Sequence, residues 1–158
     1  MATKICYQYR IGIFTRGRKL IAVPIKINVE LGECNGYMSS LWYVNNQLVF
    51  DLSTPTSSHC TIEFNAVLPC NITVRVSGKN QNTDTKVLDG KIVQDKNIQI
   101  NSMLVARLPV SKHVLYQICN YTTHDGRTYN DIYWAWNGQA NISLAESDAV
   151  LWHLKYNN

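Results

Sequence analysis

The sequence predicts an all-β protein, an antiparallel β-sandwich of about ten short strands, with a closed barrel as the second choice. Three observations predict it. Apolar and polar residues alternate with a period of two along most of the chain, as in Ile21, Val23, Ile25, Ile27, Val29 and Leu31. Clusters of Gly, Asn and Pro punctuate that alternation at short intervals, and no stretch carries three turns of helical periodicity.

Each element follows from these signals. Ile5, Tyr7, Tyr9, Ile11 and Ile13 share one face of a first strand, which turns at Thr15-Arg16-Gly17-Arg18-Lys19 into the strand beginning at Ile21. Pro24 cannot donate a ladder hydrogen bond, so this second strand is expected at a sheet edge or a bulge. After the turn cluster from Gly32 to Gly36, residues 41–44 and 47–52 flank Asn45-Asn46, a pair that tolerates positive φ and predicts a tight hairpin. Residues 53–59 form a loop, followed by strands carrying Ile62, Phe64 and Ala66, then Ile72, Val74 and Val76. The polar stretch 78–85 is expected to be a mobile surface loop. Further strands are predicted at 86–93, 98–100 and 103–108, then on Val114, Tyr116 and Ile118, on Ile132, Trp134 and Trp136, and on Val150, Trp152, Leu154 and Tyr156. Residues 144–147 offer at most a single helical turn.

The chain has 158 residues, 46% hydrophobic and 16% charged, enough for one core without disulfides, and we expect a single β-sandwich domain over 1–158. No apolar run approaches the roughly 20 residues that span a bilayer, and the N-terminus lacks a long apolar signal region. The expectation is a soluble chain, cytoplasmic or released without a classical signal. Charge is uneven: six basic residues against Glu30 give the first thirty residues +5, and nine basic against ten acidic give the rest −1. Arg16, Arg18 and Lys19 at the hairpin tip read as a solvated turn or, alternatively, as a contact for phosphates or an anionic membrane surface. Nucleic acid is disfavoured, because aromatics for base stacking do not interleave with the charges.

The five cysteines make no Cys-x-x-Cys pair and have no His at zinc-finger spacing, which favours buried free thiols over zinc; Cys60 and Cys70 would close a short loop only in an oxidising compartment. The sequons at Asn71, Asn120 and Asn141 are expected to be unmodified. Catalysis finds little support. Cys119 and His124 are near in sequence, but Cys119 follows a buried-looking strand; the other histidines are isolated, carboxylates are scattered, and no phosphate cradle exists. We therefore expect a chain that is not an enzyme.

The most informative stretch is 123–138. Asp125, Asn130 and Asp131 gather hard oxygen donors of the kind that suit Ca²⁺, the one candidate cofactor. Asp125-Gly126, Tyr129-Asn130-Asp131 and Trp136-Asn137-Gly138 resemble the calcium loop of the bacterial fucose- and mannose-binding lectins, small β-sandwich proteins, although Arg127 and Thr128 stand where that family carries further acids. The resemblance implies sugar hydroxyls coordinated to bound calcium. The same residues also read as a plain hairpin turn, with Asp125-Gly126 making the bend and Asn130-Asp131 satisfying local amides. Trp134 and Trp136 are expected in the core with Ile132, leaving Arg127, Tyr129, Tyr133 and Asn137 to face a ligand. The leading expectation is a non-catalytic, lectin-like module that binds carbohydrate through its inter-strand loops. The alternative is a self-assembling homo-oligomer or a membrane-active, toxin-like β-protein acting through the basic hairpin.

Overall fold

A computed structural model describes residues 21–146 and 149–156. The first predicted strand and the Arg16, Arg18 and Lys19 tip lie outside the described residues. The alternation beyond them forms β1 (Ala22–Gly32), which buries Ile25, Ile27, Val29 and Leu31 on one face. β1 lies inside a sheet, between β4 (His59–Val67) and β8 (Asn97–Val105); β12 (Tyr133–Trp134) and β9 (Leu108–Pro109) add to β8. Pro24 is thus neither on an edge strand nor at the β1 register shift, which falls between Asn28 and Val29. The β8 ladder starts one residue later, at Ile25 opposite Val105, and the Pro24 carbonyl accepts from the Ala106 N–H at 2.9 Å. Its missing donor falls where that ladder has already ended.

The second sheet has six strands in the order β11 (Thr128–Asn130), β10 (Cys119–Thr123), β13 (Gly138–Leu144), β5 (Cys70–Ser77), β2 (Ser39–Val44), β3 (Gln47–Leu52). All pairings in both sheets are antiparallel and neither sheet closes into a barrel, so the sandwich is the architecture formed. The predicted Asn45-Asn46 hairpin joins β2 to β3, with φ of 47° and 69° at its two central residues.

Several boundaries differ from expectation. Residues 86–93 are not one strand: Asp89 and Gly90, at φ 50° and 75°, reverse the chain between β6 (Thr85–Leu88) and β7 (Lys91–Asp95). This separate hairpin exposes Val87, Leu88, Ile92 and Val93. Conversely, 98–100 and 103–105 belong to one strand. Asn28 faces Ser102 while Val29 faces Ile100, so Asn101 is the extra residue of a bulge, and the buried set switches parity from Ile98 and Ile100 to Met103 and Val105.

Two predicted strands are helices. In α1 (Lys112–Ile118), the Ser111 side chain caps the first turn by accepting from the Val114 N–H at 3.3 Å. It buries Val114, Leu115 and Ile118, a helical spacing, and leaves Tyr116 43% exposed. In α2 (Ala149–Tyr156), the neighbours Trp152 and His153 are both buried while Leu154 is exposed, which alternation forbids. His153 Nε2 meets the Val105 carbonyl at 2.9 Å and docks this helix on β8. Leu144 ends β13 rather than starting a helical turn.

The core fills the space between the sheets. Trp42 of β2 and Trp134 of β12 touch across it, and Tyr121 of β10 stacks on Trp134 at 5.8 Å with an interplanar angle of 14°.

Candidate functional site

The connections from β10 to β11 and from β12 to β13 carry the polar and aromatic residues singled out in the sequence. The β10–β11 turn is built from Thr123. Its N–H donates to the Arg127 carbonyl at 2.8 Å, its carbonyl accepts from Gly126 at 2.9 Å, and its hydroxyl bonds to the Asp125 carboxylate. Gly126 takes φ 88°, the conformation the bend requires.

Arg127 then folds back on Asp125 as a fork, with Nη2 2.8 Å from Oδ2 and Nε 3.2 Å from Oδ1. The same guanidinium lies 4.7 Å from the centre of the Trp136 ring. Hydrogen bonds from Arg127 and then Thr123 pull the Asp125 carboxyl down to about 2. Asp125 in turn holds the Arg127 guanidinium above its ordinary range against partial desolvation, and the Tyr129 phenol beside it adds to the effect. Asp125, Arg127, Tyr129 and Trp136 therefore form one cluster. Trp136 is 38% exposed and Tyr129 44%, so Trp136 is a surface residue and not the core residue expected.

The other predicted residues serve neighbouring joints. Asn130 Oδ1 accepts from Asn120 Nδ2 at 3.3 Å across β10 and β11. Asp131 Oδ1 accepts the Tyr133 N–H at 2.9 Å, and its carbonyl accepts from Trp134 Nε1 at 3.0 Å. Tyr133 donates its hydroxyl to Asp95 Oδ2 at 2.8 Å. Asn137 uses its whole carboxamide on Lys79, accepting from the main-chain N–H and donating to the carbonyl, both at 2.9 Å. Tyr133 and Asn137 thus tie the segment around Trp136 to Asp95 and Lys79.

That bracing corrects the picture of 78–85 as a mobile surface loop. Lys79 and Asp84 are buried. Lys79 Nζ lies 2.5 Å from Asp95 Oδ1, with side chains 3% and 9% exposed, and Thr85 donates to the same oxygen at 2.7 Å. Burial pushes the Asp95 carboxyl up, but hydrogen bonds from Lys79, Thr85 and Tyr133 outweigh it and hold the group below its ordinary range. Lys96 pairs with Asp84 at 3.0 Å and donates to the Gly78 carbonyl at 2.8 Å. Asp84 also accepts from the Asn80 N–H at 2.9 Å and from Asn35 at 3.2 Å, and its carboxyl is strongly depressed by these bonds, that from Asn80 foremost.

The calcium set does not fit the ion as placed here. Asp125 is occupied by Arg127 and Thr123, and a cation entering there would have to displace a guanidinium 2.8 Å away. Asn130 and Asp131 bond back to their own turn and neighbouring strand. Among the described residues no three His, Cys, Asp or Glu side chains converge as a metal cluster. A Cys119–His124 nucleophile is also unsupported, because burial pushes the Cys119 thiol up to about 12, opposite to what an activated thiolate needs. Cys34 and Cys70 are likewise buried free thiols, so Cys70 closes no loop with Cys60.

Sequence reasoning missed Trp136, Lys79 and Asp95. For Trp136 a signal existed: Asn137-Gly138 directly after it marks a turn, where alternation loses its force. For the buried ion pair none did, since its partners are separated along the chain.

Neither a protein-family model nor a curated protein matches the chain. Two solved structures are similar. One, described as "vCBM60 in complex with galactobiose", is 14% identical with a TM-score of 0.46, over 76% of this chain and 97% of that one. The other is a selenomethionine form of vCBM60, described in terms of calcium-dependent carbohydrate binding modules, at 15% identity and a TM-score of 0.46, over 76% of this chain and 89% of that one. At these values the functional reading rests on the site's own residues.

Proposed function

We propose that the chain is a non-catalytic carbohydrate-binding module that holds a sugar against Trp136, Arg127 and Tyr129. One observation carries this reading: the Arg127 guanidinium is stacked on an exposed indole and forked onto Asp125, with the Tyr129 phenol beside it. Aromatic faces accept the apolar face of a pyranose, and a guanidinium, a carboxylate and a phenol offer donors and acceptors to its hydroxyls. Because Thr123, Asn137 and the Lys79–Asp95 pair already fix the supporting turns, little ordering remains to be done on binding. Binding needs no metal in this arrangement.

A glycan array probed with the intact chain, with and without chelator, tests the reading. At least one glycan is expected to bind in both conditions, and Trp136→Ala to weaken it by about tenfold or more, the loss of about 1.4 kcal/mol. A wild-type chain that binds no glycan in either condition overturns the proposal.

A further inference from the structure

On the outward face of the six-stranded sheet, an open-mouthed cavity of about 450 Å³ is lined by the exposed Asn45, Asn46 and Asn71 and the half-buried Thr73 and Asn141. That volume lies within the usual range of ligand pockets. We infer that this cavity is a second binding site, for a neutral, hydroxyl-rich ligand of the oligosaccharide class.

The cavity has a fixed wall. The Asn45-Asn46 turn is stapled to β5 by two bonds: Asn45 N–H donates to the Asn71 carbonyl at 3.0 Å, and Asn71 N–H donates to Asn45 Oδ1 at 3.1 Å. Its floor is a cross-strand pair, Thr73 opposite Asn141, with the Thr73 hydroxyl donating to Asn141 Oδ1 at 3.1 Å and Gln139 reaching the same oxygen at 3.4 Å. Those bonds use acceptors and leave donors. The Nδ2 groups of Asn45 and Asn141, and the whole carboxamides of Asn46 and Asn71, meet solvent rather than a partner among the described residues, and are open to a ligand's hydroxyls. A carboxamide donates and accepts along nearly parallel directions, matching the paired donors and acceptors of vicinal hydroxyls.

The lining residues carry no titratable group, so the site offers nothing to select an ion. The nearest cation along β5, Arg75, is engaged over the Tyr43 ring at 5.0 Å. Asn46 is also telling. At φ 69° it stands in the left-handed region that asparagine tolerates, so the turn holds its carboxamide in a fixed place in the lining. Strand alternation accounts for the sequons as well: Asn71 with Thr73 and Asn141 with Ser143 share the outward face because residues two apart always do.

This site is independent of the loop cluster, and shares with the reading above only the class of ligand. Chemical-shift mapping of the whole chain with cellohexaose, laminarihexaose and mannohexaose, in the wild type and in Trp136→Ala, separates the two. Expected are saturable shifts of the side-chain amide signals of Asn46, Asn71 and Asn141 with at least one probe, persisting in Trp136→Ala. Asn46→Gly relaxes the turn rather than breaking it, and is expected to weaken this binding by about fivefold, the effect of one or two lost hydrogen bonds. Shifts confined to Trp136 and Arg127 overturn the second site and leave the loop reading standing; shifts confined to the cavity do the reverse. Unchanged affinity in Asn46→Gly and in Asn71→Ala, or tighter binding of a sulfated hexasaccharide than of any neutral one, also overturns it.

Discussion

Trp42 and Trp134 meet with ring centroids 6.0 Å apart and planes tilted by 46°, one from each sheet of the sandwich, and both are fully buried. The contact ties the fold to the site. Trp134 follows Asp131 and Tyr133, donates its indole N–H to the Asp131 carbonyl at 3.0 Å, and stacks on Tyr121, whose hydroxyl bonds to the Trp136 carbonyl. Core packing therefore sets where the exposed Trp136 stands.

Trp134→Ala is accordingly expected to destabilise the chain by about 3–5 kcal/mol, through lost burial and the cavity it leaves. Trp134→Phe keeps most of the apolar volume but strands the Asp131 carbonyl, and should cost less, about 1–3 kcal/mol. Urea unfolding followed by circular dichroism measures both. A loss below about 1 kcal/mol in the alanine variant contradicts Trp134 as the link between the sheets.

The acid limb of the loop cluster follows from Asp125. Its folded carboxyl titrates near 2, below the ordinary value of about 3.9. A depressed carboxyl favours the folded arrangement above its unfolded pKa, and that contribution disappears as pH falls from about 4 through 2. Within the folded chain, the fork to Arg127 and any sugar affinity that depends on it follow the folded value instead, and should hold through about pH 4 and fail only as pH approaches about 2. Arg127→Ala removes the first cause of the shift, so carbon-detected NMR titration should find the Asp125 midpoint moved up toward the ordinary range. An unmoved midpoint excludes the fork as the cause.

How much of this was legible in the sequence depended on locality. β1 and β5 were readable because each presents one face to the core, so alternation and burial coincide at Ile25, Ile27, Ile72 and Val74. The Asn45-Asn46 hairpin was readable because positive φ has a local residue preference. β8 was split in two because the bulge at Asn101 reverses parity, a feature that only pairing with β1 reveals. Val114, Tyr116 and Ile118 alternate as a strand would, which hid α1; the Ser111 cap, a local sign of a helix start that the alternation overrode, is seen only in the structure. At the site, Asp125 and Arg127 are neighbours and were legible, whereas the cavity lined by Asn46, Asn71 and Asn141 exists only because three distant segments are paired side by side.

The buried thiols give a chemical check on the core. Cys34, Cys70 and Cys119 are buried, and burial pushes Cys70 up to about 11 and Cys119 up to about 12. Alkylation needs an accessible thiolate, so these three are expected to resist iodoacetamide at pH 8 until the chain is unfolded. Peptide mass mapping after a native pulse and a denatured pulse reads this residue by residue. Rapid native labelling of Cys119 would contradict the packing between β10 and the opposite sheet.

Lys79 and Asp95 bear the sharpest energetic prediction, because both charges are withdrawn from water and each has the other as its compensation. Asp95→Asn keeps the shape but leaves the Lys79 ammonium buried without a counter-charge, so a loss of about 3–5 kcal/mol is expected. Tyr133→Phe removes only one of the bonds to Asp95 and should cost about 1 kcal/mol. Replacing both charges, as Lys79→Met with Asp95→Leu, should recover most of the single-variant loss, since no unpaired charge then remains. Acid should expose the same dependence. With the Asp84 and Asp95 carboxyls both depressed in the folded chain, their contribution is complete above the ordinary carboxylate range and is lost as pH falls through it and below. Denaturant melts of the wild type, Asp95→Asn, Tyr133→Phe and the double variant across that range test this, and a double variant no more stable than Asp95→Asn would show that the groups around the pair, not its charge balance, hold residues 78–85 against the sandwich.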